Sequence, residues 1–306
     1  MRNHTFPGGS RENHGDSMTK MNQGILYVVA TPIGNLDDMS PRARRTLAEV
    51  ALIAAEDTRH TGMLLSHFGI RTPLIAMHEH NEAQKTPMLV EKLLAGFSLA
   101  LVSDAGTPLI SDPGFNLVRA ARAAGIRVIP IPGACALIAA LSVSGLPTDR
   151  FVFEGFLPSK AVARRKRLAE LATDTRTLVF YESIHRLKES LSDMVQMLGG
   201  ERHSLIAREI TKLHEEICDG TLTQLLDQVE SDSFAIKGEV VLVVAGDTQF
   251  SPAETTLDIE RLLKILLTAM PVKQAVVLAV KITGLNKNQL YQKALVLSEK
   301  NPPEEV

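Results

Sequence analysis

The sequence predicts two α/β domains followed by a small helical module, and three observations support this fold class. Short apolar runs alternate with amphipathic segments from Ile25 onward, a pattern typical of mostly parallel sheets with helices on both faces. The run Pro130-Ile131-Pro132-Gly133 separates a first block of this alternation from a second. After Gly246 the composition shifts, and the length of 306 residues fits about two domains. We therefore expect residues 23–133 to form one α/β domain, residues 134–248 a second, and residues 255–300 the module.

The first block contains apolar, β-rich runs with helical segments between them. The predicted strands are Ile25–Ala30, Leu52–Ala55, Leu74–Met77, Leu99–Ser103 and Val128–Ile131. The predicted helices are Pro41–Val50, Thr58–Phe68, Asn81–Leu94 and Phe115–Ala124. Ser40 before Pro41 is a strong start for the first helix, because serine caps a helix and proline suits its first turn.

The second block begins with a helix of small residues, Ala134–Ser144, and then changes character. Its predicted strands are Phe151–Glu154, Thr177–Tyr181, Ser204–Glu209, Glu215–Asp219 and Glu239–Ala245. Its predicted helices are Val162–Leu171, His185–Leu198 and Leu222–Val229. This order predicts a sheet with more antiparallel pairing than the first. Residues 1–22 carry no hydrophobic period and are interpreted as a flexible leader.

Charge and composition argue against several classes of protein. The chain has 33 Lys and Arg against 35 Asp and Glu, so no overall field favours nucleic acid or an anionic membrane, and any RNA contact must use local basic patches. Two cysteines, Cys135 and Cys218, give no disulfide framework and indicate the cytoplasm. No apolar run reaches the ~18 residues of a membrane span, so we expect no membrane association. The absence of Trp argues against an extended base-stacking platform.

Loops rich in small residues follow three strands of the first block. They are Thr31–Asp38, Ser103–Gly114 and Pro130–Ala136. Because the carboxyl ends of parallel strands meet at one edge of a sheet, these loops are expected to form one ligand-binding crevice. Asp104 is placed to accept a hydrogen bond from a ligand, whereas a helix cap is the simplest interpretation of Asp112. No G-x-G-x-x-G or G-x-x-x-x-G-K-[ST] pattern occurs, so dinucleotide and P-loop sites lack support.

Acidic, basic and hydroxyl side chains follow the second strand at the same edge. Within this segment Asp57 or Thr58 fits a helix cap. That interpretation leaves Arg59 and His60 exposed, as a phosphate or substrate contact requires.

Two histidines follow the third strand. His78 and His80 share a strand face, but no third ligand has a recognisable spacing, so we expect no metal site. The segment, which includes Asn81, is therefore expected either to contact the substrate or to cap the next helix.

Basic residues cluster in two further places. Lys160 and Arg164–Arg167 lie on one predicted helix, where they form either a solvated face or a phosphate contact. Residues 255–300 contain seven Lys and Arg against three Asp and Glu. Their helix, glycine turn and second helix predict a helix-turn-helix-like module, with a dimerisation or packing role as the alternative.

Several segments of the chain occur, in the same order, in a known protein family. They are Val29–Leu36, Ala54–Arg59, Ser103–Pro108, Asp112–Gly114, Pro132–Ala136, Phe180–Arg186 and Ala207–Lys212. They resemble the ribosomal RNA small subunit methyltransferase I family of the tetrapyrrole methylase superfamily, over about residues 24–298. The resemblance implies S-adenosylmethionine as cofactor, held in a crevice between the two α/β domains. It also implies 2′-O-methylation of a decoding-centre cytidine in 16S rRNA, within the 30S subunit, by a cytoplasmic homodimer.

Together with the residue patterns above, the resemblance gives individual residues expected roles. Cofactor contacts are expected from Ile33, Asp104, Ala105, Gly106, Thr107, Cys135, Ala136, Tyr181, Ala207 and Gly238. The candidate general bases for the ribose hydroxyl are Asp57, Glu182 and Glu209. RNA contacts are expected from Arg59, His60, His78, Asn81, Arg164, Arg165, Arg186 and Lys212.

Two other functions fit the same residues. A tetrapyrrole methyltransferase would share the fold and cofactor, but it would need neither the basic helix nor the C-terminal module. A non-catalytic RNA-binding factor of ribosome assembly would use the fold as a scaffold, and the three-loop crevice would then have no role. The choice of nucleotide comes from the resemblance alone.

Overall fold

The computed structural model describes residues 23–231, 238–247 and 259–300. The predicted leader, residues 1–22, and the predicted linker after residue 248 lie outside these ranges. Within them, two five-stranded sheets and a group of three helices follow one another along the chain. This arrangement confirms the predicted fold class.

The first sheet has the strand order β3-β2-β4-β1-β5, and all its neighbouring pairs are parallel. The strands are β1 (Ile25–Val29), β2 (Leu52–Ala55), β3 (Leu74–Ala76), β4 (Leu99–Val102) and β5 (Arg127–Ile131). The helices are α1 (Pro41–Glu49), α2 (Thr58–His67), α3 (Glu82–Leu94) and α4 (Phe115–Ala123). Helices α1 and α2 cover one face and α3 and α4 the other. All strand carboxyl ends therefore lie at one edge, where ligands bind in open α/β sheets.

Burial on both faces explains the sequence pattern of this sheet. Every residue of β4 is buried, as its uninterrupted apolar run requires in a parallel sheet. Helix α1 begins as predicted, because the Ser40 hydroxyl accepts the Ala43 N–H at 3.1 Å and Pro41 occupies the first turn.

The second sheet has the order β6-β7-β10-β8-β9, with β6 and β7 parallel and the other pairs antiparallel. Its strands are β6 (Phe151–Phe156), β7 (Thr177–Ser183), β8 (His203–Arg208), β9 (Glu216–Thr221) and β10 (Glu239–Val244). The helices are α5 (Ala136–Val143), α6 (Ala161–Leu171), α7 (Leu187–Leu198) and α8 (Leu222–Glu230). Helix α5 packs on one face of this sheet, and α6, α7 and α8 pack on the other.

The module consists of α9 (Ile259–Ala269), α10 (Val272–Thr283) and α11 (Lys287–Lys300). Its own small core contains Leu263, Val276 and Leu290. Gly284, with φ of 67°, ends α10 in a left-handed conformation that glycine adopts without strain. The predicted glycine turn between two helices is thus present.

Most predicted elements agree with the structure to within two residues at each end. Two differences affect the crevice. Strands β6 and β7 extend two residues further than predicted, to Phe156 and Ser183. The helix expected from His185 begins at Leu187, after a 3-10 turn over Ile184–Arg186.

Candidate active site

A crevice of about 510 Å³ lies between the two sheets. Loops that follow β1, β2, β4 and β5 form one wall, and residues of β6, β7, β8 and β10 form the other. This volume falls within the range of about 300–1,000 Å³ that is typical of small-molecule sites.

Backbone hydrogen bonds tie the loops of the first wall together. Thr31 and Gly106 exchange N–H to carbonyl bonds of 2.9 and 3.1 Å. The Thr107 hydroxyl donates to the Ala134 carbonyl at 3.0 Å. Gly106 has φ of 82°, and a Cβ there would lie 3.2 Å from Ile33 Cγ2. Glycine at this position therefore permits both the turn and the close approach of the two loops.

All residues predicted to contact the cofactor line this one crevice. They are Ile33, Asp104, Ala105, Gly106, Thr107, Cys135, Ala136, Tyr181, Ala207 and Gly238. The structure therefore brings together side chains from six separate loops and strands, while their role in cofactor binding stays a prediction. Lys237, which precedes Gly238 in the sequence, lies outside the described residues.

Three carboxylates lie close together on the first wall: Glu56, Asp104 and Asp112. Glu56 Oε2 accepts the Asp104 N–H at 3.3 Å, and Asp104 Oδ1 accepts the Asp57 N–H at 3.0 Å. These reciprocal bonds cross-link the loops after β2 and β4. Sequence reasoning missed Glu56 as a lining residue, although its position directly after a buried strand was a usable signal.

Asp112 has a different role from the one expected. Helix α4 begins after Gly114 with no side-chain cap, so the interpretation of Asp112 as a helix cap is wrong. Instead its side chain lines the crevice. Burial, and then the charges of Glu56 and Asp104, raise the pKa of Asp112 to about 6. Burial also raises the pKa of Glu56, against the effect of its bond from the Asp104 N–H. Three carboxylates on one wall concentrate negative charge, which favours a cationic ligand.

Tyr181 anchors the second wall. Its hydroxyl accepts the Leu137 N–H at 3.3 Å, and its ring packs edge-on against Phe153 with centroids 4.9 Å apart. Burial, together with the nearby Cys135 and Asp112, raises the pKa of Tyr181 to about 12. The phenol is thus a neutral, fixed part of the wall.

The three predicted general bases occupy different surroundings. Only Glu182 among them lines the crevice, where it is buried and accepts hydrogen bonds from the Ser183 N–H and the Ser190 hydroxyl. Asp57 caps α2 and is bound by the Arg59 guanidinium at 2.6 Å, which holds the pKa of Asp57 well below its usual range.

Glu209 is bound to a cation and to the backbone. Burial acts to raise its pKa, but hydrogen bonds from Lys212 at 2.8 Å and from the Glu239 N–H outweigh this effect and lower it. Gly238 must be glycine here, because its φ is 108° and a Cβ would lie 2.4 Å from the Glu209 side chain.

Lys212, expected to contact RNA, lines the crevice, and its RNA contact stays a prediction. Its Nζ binds Glu209 at 2.8 Å and Glu239 at 3.0 Å. A Cβ on Gly34 would lie 2.3 Å from the Lys212 side chain. This lysine therefore spans from the second domain to the loop after β1 and closes one end of the crevice.

Among the other residues predicted to contact RNA, some are exposed and some are half-buried. Arg59 is 88% exposed, and His60 beside it is also exposed at the start of α2, as predicted. His78 and Asn81 are half-buried and bound to each other, since Asn81 Oδ1 accepts the His78 N–H at 2.9 Å. This pair closes the turn after β3.

The basic helix α6 differs from the prediction. The Arg164 side chain is only 3% exposed, and its Nε donates to Asp193 on α7 at 2.6 Å. Arg164 is therefore a buried link between helices, and the expectation that it contacts RNA is wrong. Arg165 is exposed and lies 3.4 Å from the same carboxylate. Arg186 points inward and donates to the Leu157 carbonyl at 2.6 Å, so it braces the end of β6.

No group of three or more His, Cys, Asp or Glu side chains within the described ranges is placed to hold a metal ion. In the same part of the chain, the helices are all too short or too polar to cross a membrane.

Known proteins with this fold define the class of the chain. The family model of the Tetrapyrrole (Corrin/Porphyrin) Methylases matches residues 25–226. Two solved structures, a cobalt precorrin-4 methyltransferase and a diphthine synthase, are similar with TM-scores of 0.55 and 0.54. The precorrin methyltransferase is 13% identical, and the match covers 72% of this chain and 94% of that protein. The diphthine synthase is 14% identical, and the match covers 72% of this chain and 89% of that protein. At such identities these structures show the fold alone.

Sequence relatives narrow the class further. Ribosomal RNA small subunit methyltransferase I from Pseudomonas aeruginosa is 57% identical over 277 residues, which cover 90% of this chain and 98% of the relative. The protein of that name from Escherichia coli O157:H7 is 53% identical over 273 residues, with coverages of 89% and 95%. The model of the RsmI C-terminal HTH domain matches residues 253–298. This chain belongs to the ribosomal RNA small subunit methyltransferase I family, and membership makes it a methyltransferase with S-adenosylmethionine as cofactor.

Proposed function

We propose that this protein transfers a methyl group from S-adenosylmethionine to the 2′-hydroxyl of a decoding-centre cytidine in 16S rRNA, within the 30S subunit. The observation that carries the proposal is the crevice between the domains, lined by every residue expected to contact the cofactor, in a chain that matches rRNA methyltransferases over nine-tenths of its length. We further propose that it acts in the cytoplasm as a homodimer.

The residues of the crevice fit the cofactor. When bound, S-adenosylmethionine supplies an electrophilic methyl group on a positively charged sulfonium. Glu56, Asp104 and Asp112 provide negative charge on one wall, and the glycine at 106 lets two loops approach closely. Since burial strengthens electrostatic attraction, this wall favours a sulfonium over a phosphate-bearing nucleotide.

Positioning accounts for much of the expected rate enhancement. The two walls would hold the methyl donor and the acceptor oxygen near each other, and the enclosure between the sheets would exclude water from the crevice. On the first wall the Thr107 hydroxyl is hydrogen-bonded to the Ala134 carbonyl. On the second wall the Tyr181 hydroxyl is hydrogen-bonded to the Leu137 N–H. These bonds hold side chains of both walls in place.

We assign the proton acceptor for the ribose hydroxyl to Asp112. A general base works best when its pKa lies near the working pH, and the pKa of Asp112 is raised to about 6. Asp57 and Glu209 have lowered pKa values because each binds a cation, so they accept a proton less readily. Glu182 lines the crevice but is already engaged by two hydrogen-bond donors.

Arg59 in the first domain is placed to contact the RNA substrate. Arg59 is exposed beside the crevice edge while its guanidinium is held by Asp57, so a preorganised cation is presented to a phosphate.

The test is methyl transfer with labelled S-adenosylmethionine to three acceptors: 30S subunits that lack the modification, naked 16S rRNA, and a tetrapyrrole precursor. Label on a single cytidine ribose in the 30S sample is the expected result. Label on the tetrapyrrole would show that the substrate is a tetrapyrrole and not RNA, and the crevice would still be the cofactor site. Cofactor binding without transfer to any acceptor would favour the assembly-factor alternative.

A further inference from the structure

The crevice carries two exposed apolar side chains that the functions proposed above do not use. Phe156 in the second domain is 57% exposed and Ile110 in the first is 39% exposed, and both line the crevice. Large apolar side chains left open to water in a concave site mark a surface that a ligand covers. Their position on opposite domains indicates a flat apolar ligand that enters between them.

Backbone irregularities present both side chains to the crevice. The pairing of β6 with β7 shifts register between Phe153 and Gly155, and Gly155 has φ of 64°. A bulge of this kind re-aims the neighbouring side chain, and bulges are common next to active sites. On the facing wall Leu109 has φ of 77°, which is unfavourable for a residue with a side chain. The strained turn directly precedes Ile110.

Aromatic packing holds the Phe156 ring in place. The ring meets Tyr181 edge-on, with centroids 5.8 Å apart. Tyr181 is in turn fixed by Phe153 and by the Leu137 N–H. Phe156 is thus a preorganised surface, so a ligand that covers it loses little conformational entropy of the protein.

Cations follow this aromatic residue along the chain. Lys160, at the start of α6, and Lys166, on the same helix, are both exposed. Within the part of the chain that the structure describes, neither forms an ion pair, whereas Arg164 and Arg167 on that helix do. An exposed aromatic ring followed closely in the chain by unpaired cations is a combination suited to single-stranded nucleic acid, since bases stack and phosphates are neutralised.

We propose that Phe156 is the stacking surface for a nucleobase of the RNA substrate, opposite Ile110, with Lys160 beside it for a neighbouring phosphate. The proposal rests on the proposed function. To present its ribose to a crevice between two domains, a nucleotide must leave the stack of its neighbours. The Phe156 ring then replaces the lost stacking partner and holds the sugar beside the methyl donor.

The test compares Phe156→Ala and Phe156→Tyr with Phe97→Ala, which removes an exposed phenylalanine that does not line the crevice. Methyl transfer to 30S subunits lacking the modification is measured as kcat/KM, and cofactor affinity by titration calorimetry. Stacking predicts that Phe156→Ala lowers kcat/KM about 5- to 150-fold. Phe156→Tyr should retain most activity, and the cofactor Kd should be unchanged in all three variants.

A second readout separates this proposal from the proposed function. Binding of the cofactor-loaded protein to a fluorescent single-stranded RNA that contains cytidine is followed by anisotropy. If wild type methylates no RNA, the proposed function fails, but weaker RNA binding by Phe156→Ala alone would still support the stacking surface. Equal RNA binding by Phe156→Ala and Phe97→Ala would overturn it, as would a wild-type protein that binds no RNA. A cofactor Kd weakened in parallel with activity would also overturn it, because the ring would then pack against the cofactor.

Discussion

Replacing Asp112 with Asn should stabilise the protein while it impairs catalysis. Raising a carboxyl pKa from its ordinary 3.8 to about 6 corresponds to about 3 kcal/mol of unfavourable free energy at neutral pH, at 1.36 kcal/mol per pKa unit. Asp112 is only half-buried, so solvent screening reduces this value, and we expect a gain of about 1–1.5 kcal/mol for Asp112→Asn.

The pH dependence identifies the origin of this gain. Because the folded-state pKa is raised, the folded protein binds more protons than the unfolded chain between pH 3.8 and about 6, and its stability falls as pH rises through that window. Asp112→Asn removes the effect. The gain should therefore be full above about pH 6, roughly half as large at pH 5, and absent below about pH 4.

Thermal unfolding without cofactor, at pH 5.0 and 7.5, measures this prediction. Because the unfolding entropy scales with length, a gain of about 1–1.5 kcal/mol in this 306-residue chain should raise the Tm of Asp112→Asn by about 1.5–2.5 °C at the higher pH. The exposed Asp149→Asn is the matched control and should leave Tm unchanged at both pH values. An increase that is equal at pH 5.0 and 7.5, or a loss of stability, would refute the argument from buried negative charge.

The same variant tests the assignment of the proton acceptor. At saturating cofactor and RNA, kcat of Asp112→Asn should fall at least about 100-fold, the lower end of general-base contributions. In the wild type, kcat/KM, which reports the pKa of the free enzyme, should fall below about pH 6, since protonated Asp112 can no longer accept a proton. Unchanged kcat in Asp112→Asn would return the role to Glu182.

Three further substitutions probe the substrate side, the cofactor loop and the buried ion pair. Arg59→Ala should lower kcat/KM for RNA about 10-fold, the value of one charge-assisted hydrogen bond, without changing cofactor Kd in calorimetry. Gly106→Ala should weaken cofactor binding about 5- to 100-fold, because its φ of 82° and the neighbouring Ile33 disfavour a Cβ. Asp193→Ala should destabilise the protein by about 3–5 kcal/mol in chemical denaturation, because it strands the buried Arg164 charge.

Each of these substitutions has its own control or contrary outcome. Loss of cofactor binding in Arg59→Ala would move that residue to the cofactor side of the crevice. Gly125→Ala, at a glycine of similar φ with open space around it, controls for backbone strain alone and should leave cofactor Kd unchanged. Glu189→Ala removes the exposed partner of Arg164 at 3.7 Å and should cost about 0–1 kcal/mol. Equal destabilisation by Glu189→Ala and Asp193→Ala would contradict the role of burial.

The sequence by itself determined the order and type of the elements. In the first sheet the central strand Leu99–Val102 is buried on both faces, so its apolar run is continuous and hard to mistake. The edge rule for parallel sheets then placed Thr31–Asp38, Ser103–Gly114 and Pro130–Ala136 at one crevice. These inferences succeeded because they depend on local periodicity and on a topological rule, which one chain can reveal.

Tertiary structure alone decided what individual charged side chains do. Arg164 and Arg165 are neighbours of the same type, yet one is buried against Asp193 and the other is exposed. Asp112 has the sequence context of a helix cap, but it lies near Asp104 on its own loop and near Glu56, which is 56 residues away on the loop after β2. A side chain's charge state and partners depend on burial and on groups distant in sequence, so only the packed sheets could show which carboxylate has a raised pKa.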